Sequence, residues 1–325
     1  MPSPLERELF GTGRRAELVD AFCRAHLRSG VARREFSASS VGSVHGVRLQ
    51  DGRRVVVKVY RSDVDVVHLA AVGRVQARLA DSGFPAPRPL LAPTPLANGV
   101  AVVETLVDRG RWADAHVPAV RRAVAGGLAA LLEHARREPG LVAWREAYEQ
   151  LWRSPHDRRF DFAGTAHGAE WIDELASAAR RRLDECADGP VVVGHGDWRV
   201  EHLRFADGAL SAVYDWDSLA VAPAPVFAGA AAHQFTADWS IEGHACAPTF
   251  EESMAFLSDF EAARGTPFSD RERQLAYAAF VAALAYSERC GHSDRLTAFG
   301  TRPPTDAVED DDSILRRHGA NLLAA

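Results

Sequence analysis

Three groups in this chain are suited to handling phosphate. Asp197 closes the tripeptide His195-Gly196-Asp197, one residue beyond the apolar run at 191–193. His202 follows in the same stretch, and Asp215-Trp216-Asp217 comes after the turn signal Asp207-Gly208. One carboxylate at a strand end can take or orient a proton. A second can hold a hard divalent cation that also grips phosphate oxygens, and the imidazole of His202 is a further candidate ligand. The third group is Lys58. The chain has 38 Lys and Arg residues, and Lys58 is the only lysine among them. An ammonium is a compact point charge that fits between phosphate oxygens, where a planar guanidinium is bulkier. A chain that uses arginine everywhere else keeps its one lysine inside an apolar run.

The elements that would position these groups can be read from hydrophobic period and turn residues. Residues 191–193 read as a strand, and 203–205 with 210–214 as a hairpin turning at Asp207-Gly208. The ionisable side chains then stand at strand ends, where the backbone is rigid. Upstream, 34–36, 44–49 and 54–60 read as strands, the last two joined through Asp51-Gly52, so Lys58 lies mid-strand. Between the first two strands runs a loop of small residues, including Ser39, Ser40, Gly42 and Ser43. Its backbone amides could approach phosphate closely. Residues 16–29 read as a helix ending before Gly30. Apolar residues Val64, Val67, Ala71, Val75 and Leu79 predict another helix over 64–82. A proline-rich connector spans 84–89, and 99–106 reads as a strand. From Pro118 the pattern turns helical, at 120–137, 144–153, 170–186, 225–235, 250–264 and 271–289.

This arrangement resembles the aminoglycoside phosphotransferase and choline kinase superfamily of the protein-kinase-like fold. His195-Gly196-Asp197 and Asp215-Trp216-Asp217 carry the resemblance, with Lys58 in support. It extends over roughly residues 30–290. It implies an α+β, bilobal fold. A small β-rich nucleotide-binding lobe would cover 1–105, including the helix at 16–29, and a larger helical lobe 106–325. It also implies ATP or GTP as phosphate donor, with Mg2+ or Mn2+. The phosphates would meet the small-residue loop and Lys58, and the backbone near Glu104–Leu106 would meet the base. Asp215 would bind the metal, with Asp217 in support. Asp197 would accept or orient the acceptor's proton, and Arg199 would face the transferred charge.

Two positions depart from the family pattern. Asn is expected where His202 stands, and imidazole suits softer metals than Mg2+. His202 then either ligates a metal, orients Asp197, or marks lost transfer. The family's helix glutamate, the partner of the strand lysine, is also missing. No Glu occurs between Glu35 and Glu104. Gln76 and His68 are the polar side chains of that helix able to hydrogen-bond Lys58, and the carboxylate partner goes unnamed.

Composition narrows the function class. Hydrophobic content of 47% and charged content of 25% are those of an ordinary globular protein. A formal charge of −6 argues against general nucleic-acid binding. No apolar run reaches membrane-span length. Four scattered cysteines and a charged beginning predict free thiols, no signal peptide and a cytoplasmic protein. A monomer and a homodimer are equally compatible with the sequence. The acceptor is expected to be a small molecule with a hydroxyl. Asp238, Glu242, Glu251, Glu252 and Asp259 would suit a cationic aminosugar or amino alcohol. The competing readings are a kinase-fold nucleotide-binding protein without transfer, and an unrelated hydrolase or metal enzyme. The acidic run at 309–312 reads as a solvated tail.

Overall fold

The computed structural model describes residues 4–11, 14–39, 42–186, 189–298 and 313–325. The acidic run at 309–312 lies outside the described residues. The chain divides into two compact units. The first comprises residues 1–109, 138–141 and 212–217, and the second 110–137, 142–211 and 218–325. The division falls after Arg109 rather than after 105, and two later segments return to the first unit.

The first unit is built on a five-stranded antiparallel sheet, in the order β1-β2-β3-β5-β4. The strands are β1 (Val31–Ser39), β2 (Ser43–Leu49), β3 (Arg54–Arg61), β4 (Pro89–Leu96) and β5 (Gly99–Thr105). Helices α1 (Pro4–Phe10) and α2 (Arg15–Leu27) contribute to the core on one sheet face. There Val55, Val57 and Val59 meet Leu9, Phe22 and Leu27. Helix α2 ends at Arg28, which adopts φ 58, two residues short of the expected stop at Gly30. Helix α3 (Val66–Asp81) packs on β4. Asp65 starts it by accepting from Val67 N and His68 N, and Ser82 caps its end.

Three of these elements depart from the sequence reading. β1 is longer than 34–36 because bulges let it continue through Arg34/Phe36 to Ser39. β4 was hidden by Pro93 and Pro95. It is one of the two edge strands, where an N–H on the outer side has no ladder bond to lose. α1 precedes every helix the pattern predicted.

The second unit is mostly helical. It holds α4 (Pro118–His134), α5 (Trp144–Arg153), α6 (Glu170–Cys186), α7 (Ala224–Gln234), α8 (Phe250–Arg264), α9 (Asp270–Ala298) and α10 (Ile314–Ala324). α9 packs on α6, α7 and α10, and α4 on α8. β6 (Val191–His195) pairs antiparallel with β9 (Leu219–Pro223), a strand that the helical reading missed. β7 (Leu203–Ala206) and β8 (Ala209–Val213) form the expected hairpin. Asp207 (φ 53) and Gly208 (φ 76) both take the positive φ that a tight two-residue turn needs. Among the described residues no helix is long and apolar enough to cross a membrane.

Candidate active site

In the first unit the site grows from strand alternation. Val55, Val57 and Val59 point into the α1/α2 core, so Val56, Lys58 and Tyr60 take the opposite face of β3. Lys58 stands opposite Val102, and Val56 opposite Glu104. Glu104 is thus a diagonal neighbour of Lys58 on the same face. Lys58 Nζ lies 3.6 Å from Glu104 Oε1 and 3.6 Å from Asp215 Oδ1. Burial alone would push the ammonium toward neutrality, but Glu104, Asp215 and Asp217 outweigh it and raise its pKa. Lys58 therefore stays charged.

The partner that the sequence left unnamed is Glu104. Gln76 on α3 donates through Nε2 to Glu104 Oε2 at 2.8 Å and to Pro87 O at 2.9 Å. It holds the carboxylate rather than the lysine. His68 Nε2 meets the backbone oxygen of Asp217 at 3.0 Å. Asp217 also interacts with Tyr60 by a side-chain hydrogen bond. Burial, and then the charges of Asp217, Asp215 and Glu104, push the Tyr60 hydroxyl well up, so it remains a donor. Asp215 sits at φ 62, in the left-handed region that non-glycine residues seldom take. Lys58, Gln76, Glu104 and Asp217 line one cavity of about 350 Å³ with apolar walls from α3, β4 and β5.

The small-residue loop looks different from its sequence reading. Ser43 lies on the core face with His45, is 0% exposed, and its hydroxyl meets His45 Nε2 at 2.9 Å. Only its backbone is left to serve a phosphate. Gly42 is needed for packing, because a Cβ there would stand 2.9 Å from Val59 O. Ser39 is exposed at the end of β1, and Ser40 lies outside the described residues. The Leu106 N–H is spent on Arg54 O at 2.9 Å, and the Glu104 carboxylate on Lys58 and Gln76. Of the backbone groups expected to meet a base, the Leu106 N–H is thus engaged within the unit.

In the second unit β6 delivers His195 to a tight loop. Gly196 N donates to Ser218 O at 2.9 Å, and a Cβ on Gly196 would lie 2.9 Å from that same oxygen. Close approach of two backbones therefore requires glycine here. His195 Nδ1 lies 2.9 Å from Ser218 Oγ and accepts from Asp197 N at 3.2 Å. That fixes the loop from which Asp197 projects.

Asp197 Oδ2 meets His202 Nε2 at 3.0 Å and Arg199 Nη2 at 3.3 Å. Arg199 Nε also reaches His202 Nε2 at 3.1 Å, and Arg199 Nη2 reaches Glu201 Oε2 at 3.2 Å. One ring nitrogen carries at most one proton, so His202 Nε2 serves Asp197 or Arg199 at a given moment, not both. Burial pushes the Asp197 carboxyl up, but the His202 hydrogen bond and the charges of Arg199 and His202 prevail. They hold it well below the usual carboxylate range. A base that weak orients a hydroxyl better than it removes its proton. His202 Nε2 is thereby engaged with Asp197 and Arg199 within this loop.

The acidic residues expected to greet a cationic acceptor are largely engaged within the unit. Asp259 pairs with Arg121 at 2.8 Å. Glu252 completes the capping box of α8 and meets His116 Nδ1 at 2.9 Å. Asp238 is buried and accepts from Ser240 N at 2.9 Å. An ion pair engages Asp259, the capping box and His116 engage Glu252, and a turn hydrogen bond engages Asp238.

The phosphotransferase enzyme family model, APH, matches residues 46–225, more than half of the 325 residues. A search of curated protein sequences finds no match. Among solved structures, amicoumacin kinase hAmiN in complex with AMP-PNP, Ca2+ and Ami is 12% identical, with TM-score 0.58 over 90% of this chain and 88% of that one. An aminoglycoside phosphotransferase from Alicyclobacillus acidocaldarius is 15% identical, with TM-score 0.55 over 90% and 91%. A thermostable mutant of aminoglycoside phosphotransferase APH(4)-Ia, in ternary complex with ADP and hygromycin B, is 16% identical, with TM-score 0.52 over 94% and 98%. At these identities the likeness carries the fold, which is α+β and protein-kinase-like. The chain belongs to the phosphotransferase enzyme family.

Proposed function

We propose that the chain transfers the γ-phosphate of ATP or GTP to a hydroxyl of a small molecule. The observation that carries this reading is the sole lysine, buried and charged, held between Glu104 and Asp215. Buried charge is costly, and this one serves an anionic ligand. The oxygen donors of Asp215 and Asp217 fit a hard divalent cation such as Mg2+ or Mn2+. Such a cation would neutralise phosphate charge. Lys58 binds the phosphate oxygens. Asp197 orients the acceptor hydroxyl and takes its proton late, as the bond to phosphorus forms. That order suits a loose transition state in which the nucleophile needs little prior deprotonation. His202 steers the Asp197 carboxylate, and Arg199 supplies positive charge beside it.

The acceptor class, an aminosugar or amino alcohol, rests on the net charge of −6 and on the aminoglycoside phosphotransferases among the similar structures. The free cysteines fit the reducing cytoplasm, where the nucleotide pool lies. A nucleotide-binding protein without transfer is the second reading, favoured by Arg199 and His202 both engaging Asp197 Oδ2.

A thermal-shift titration with ATP and GTP, each with Mg2+, Mn2+ or EDTA, tests the proposal. Ligand at 100 times its dissociation constant stabilises the fold by about 2.7 kcal/mol. The expected shift needs metal and disappears in Asp215→Asn. A metal-independent shift supports the second reading. No shift with either nucleotide refutes both.

A further inference from the structure

We propose that Glu104 is the positioning residue of Lys58 and that Gln76 clamps it there, so that Glu104 remains the partner of Lys58 when Asp215 turns to a cation. The inference rests on the phosphotransferase reading of the same site and names residues to which that reading assigns no role in turnover.

The two carboxylates around Lys58 are not equivalent. The Glu104 side chain is 8% exposed and belongs to the middle of the sheet. The Asp215 side chain is 41% exposed and stands on a left-handed backbone at the end of a hairpin. A carboxylate that must receive a metal has to be open, and one that must stay with the lysine has to be closed. Glu104 is closed from two sides. Gln76 Nε2 donates to Glu104 Oε2 at 2.8 Å and to Pro87 O at 2.9 Å, which leaves Oε1 facing Lys58. The amide anchors the carboxylate without neutralising it, as a cationic clamp would. Pro87 lies in the rigid connector after α3, and Gln76 lies on α3, so the seat of Lys58 depends on how that helix is placed. When Asp215 shifts toward a cation, Lys58 loses one of two neighbours. Glu104 then keeps the ammonium aimed at the ligand.

The chain's single lysine makes the test direct. Protein grown with ε-13C-lysine gives one side-chain signal, whose chemical shift and line width are followed by NMR at one neutral pH. The Mg·ATP dissociation constant is measured by calorimetry on the same samples. Glu104→Gln preserves shape and removes charge. It is expected to move and broaden the Lys58 signal and to weaken Mg·ATP at least about ten-fold. Gln76→Leu keeps both charges but frees the carboxylate. It is expected to weaken Mg·ATP with a smaller change in the signal.

A Glu104→Gln chain with the wild-type signal and affinity overturns the proposal. So does a changed signal with unchanged affinity, because Glu104 would then be a neighbouring charge and nothing more. Wild-type affinity in Gln76→Leu overturns the clamp. If Glu104→Gln fails to fold, Gln76→Leu carries the test. If the wild type binds no Mg·ATP, the phosphotransferase reading fails separately, and the Lys58 signal still decides whether Glu104 holds the lysine.

Discussion

Replacing Lys58 by methionine should leave a carboxylate buried without its cation, and that stranded charge should cost stability. Lys58 Nζ is 3.6 Å from Glu104 Oε1. At an effective dielectric near 20 that separation corresponds to about 4–5 kcal/mol of attraction, before desolvation of the ammonium is counted. The second pair, with Asp215, involves a side chain 41% exposed and is discounted for solvent screening. Removing one member of a buried pair costs roughly 3–5 kcal/mol, so Lys58→Met should lose about 3 kcal/mol at pH 8. Glu104→Gln removes the stranded charge, so adding it to Lys58→Met should recover much of that loss. Urea unfolding of wild type, Lys58→Met and the double variant measures both effects. No loss in Lys58→Met, or no recovery in the double variant, would refute the assignment of Glu104 as a charged partner.

Asp197→Asn should leave Mg·ATP affinity near wild type and lower transfer by about 100- to 10,000-fold, read with calorimetry and a phosphate-transfer assay. His202→Asn places a hard amide oxygen beside Asp197. The ratio of nucleotide affinities in Mg2+ and Mn2+ should move toward Mg2+ if position 202 ever ligates metal, and an unchanged ratio leaves the steering role alone. His45 is buried, which pushes its pKa down to about 4, with Arg15 and Arg34 adding to the effect. A depressed histidine is favourable when neutral. Its contribution should be full above pH 6.5 and decline as pH falls toward 4, by at most roughly 3 kcal/mol. His45→Gln should remove that part of the acid sensitivity in urea titrations.

The most legible parts of the sequence were those governed by local rules. The hairpin at Asp207-Gly208 could be placed because positive φ demands such residues, and Lys58 stood out by its rarity. Helices α5, α6 and α8 followed from their period. The missed features depended on neighbours far along the chain. β4 needed the knowledge that it is an edge, without which its prolines argue against a strand. β9 was masked by the apolar start of α7, since a short apolar run fits either element. Ser43 reads as a loop residue until pairing with Val59 puts it on the core face. Glu104 was the costliest omission. Its relation to Lys58 is a diagonal across two strands, and nothing in the spacing from 58 to 104 announces it. A register of β3 against β5, worked out from their shared valine alternation, would have found it.

The lone buried lysine also makes this protein a built-in reporter for chemical labelling. Amine-selective acylating reagents have one side chain to attack in the entire chain, and the fold encloses it among carboxylates. Its modification rate then measures how often the β3 face opens, free of the background that dozens of surface lysines give elsewhere. Any molecule that seats itself against Lys58 will announce itself by slowing that single reaction.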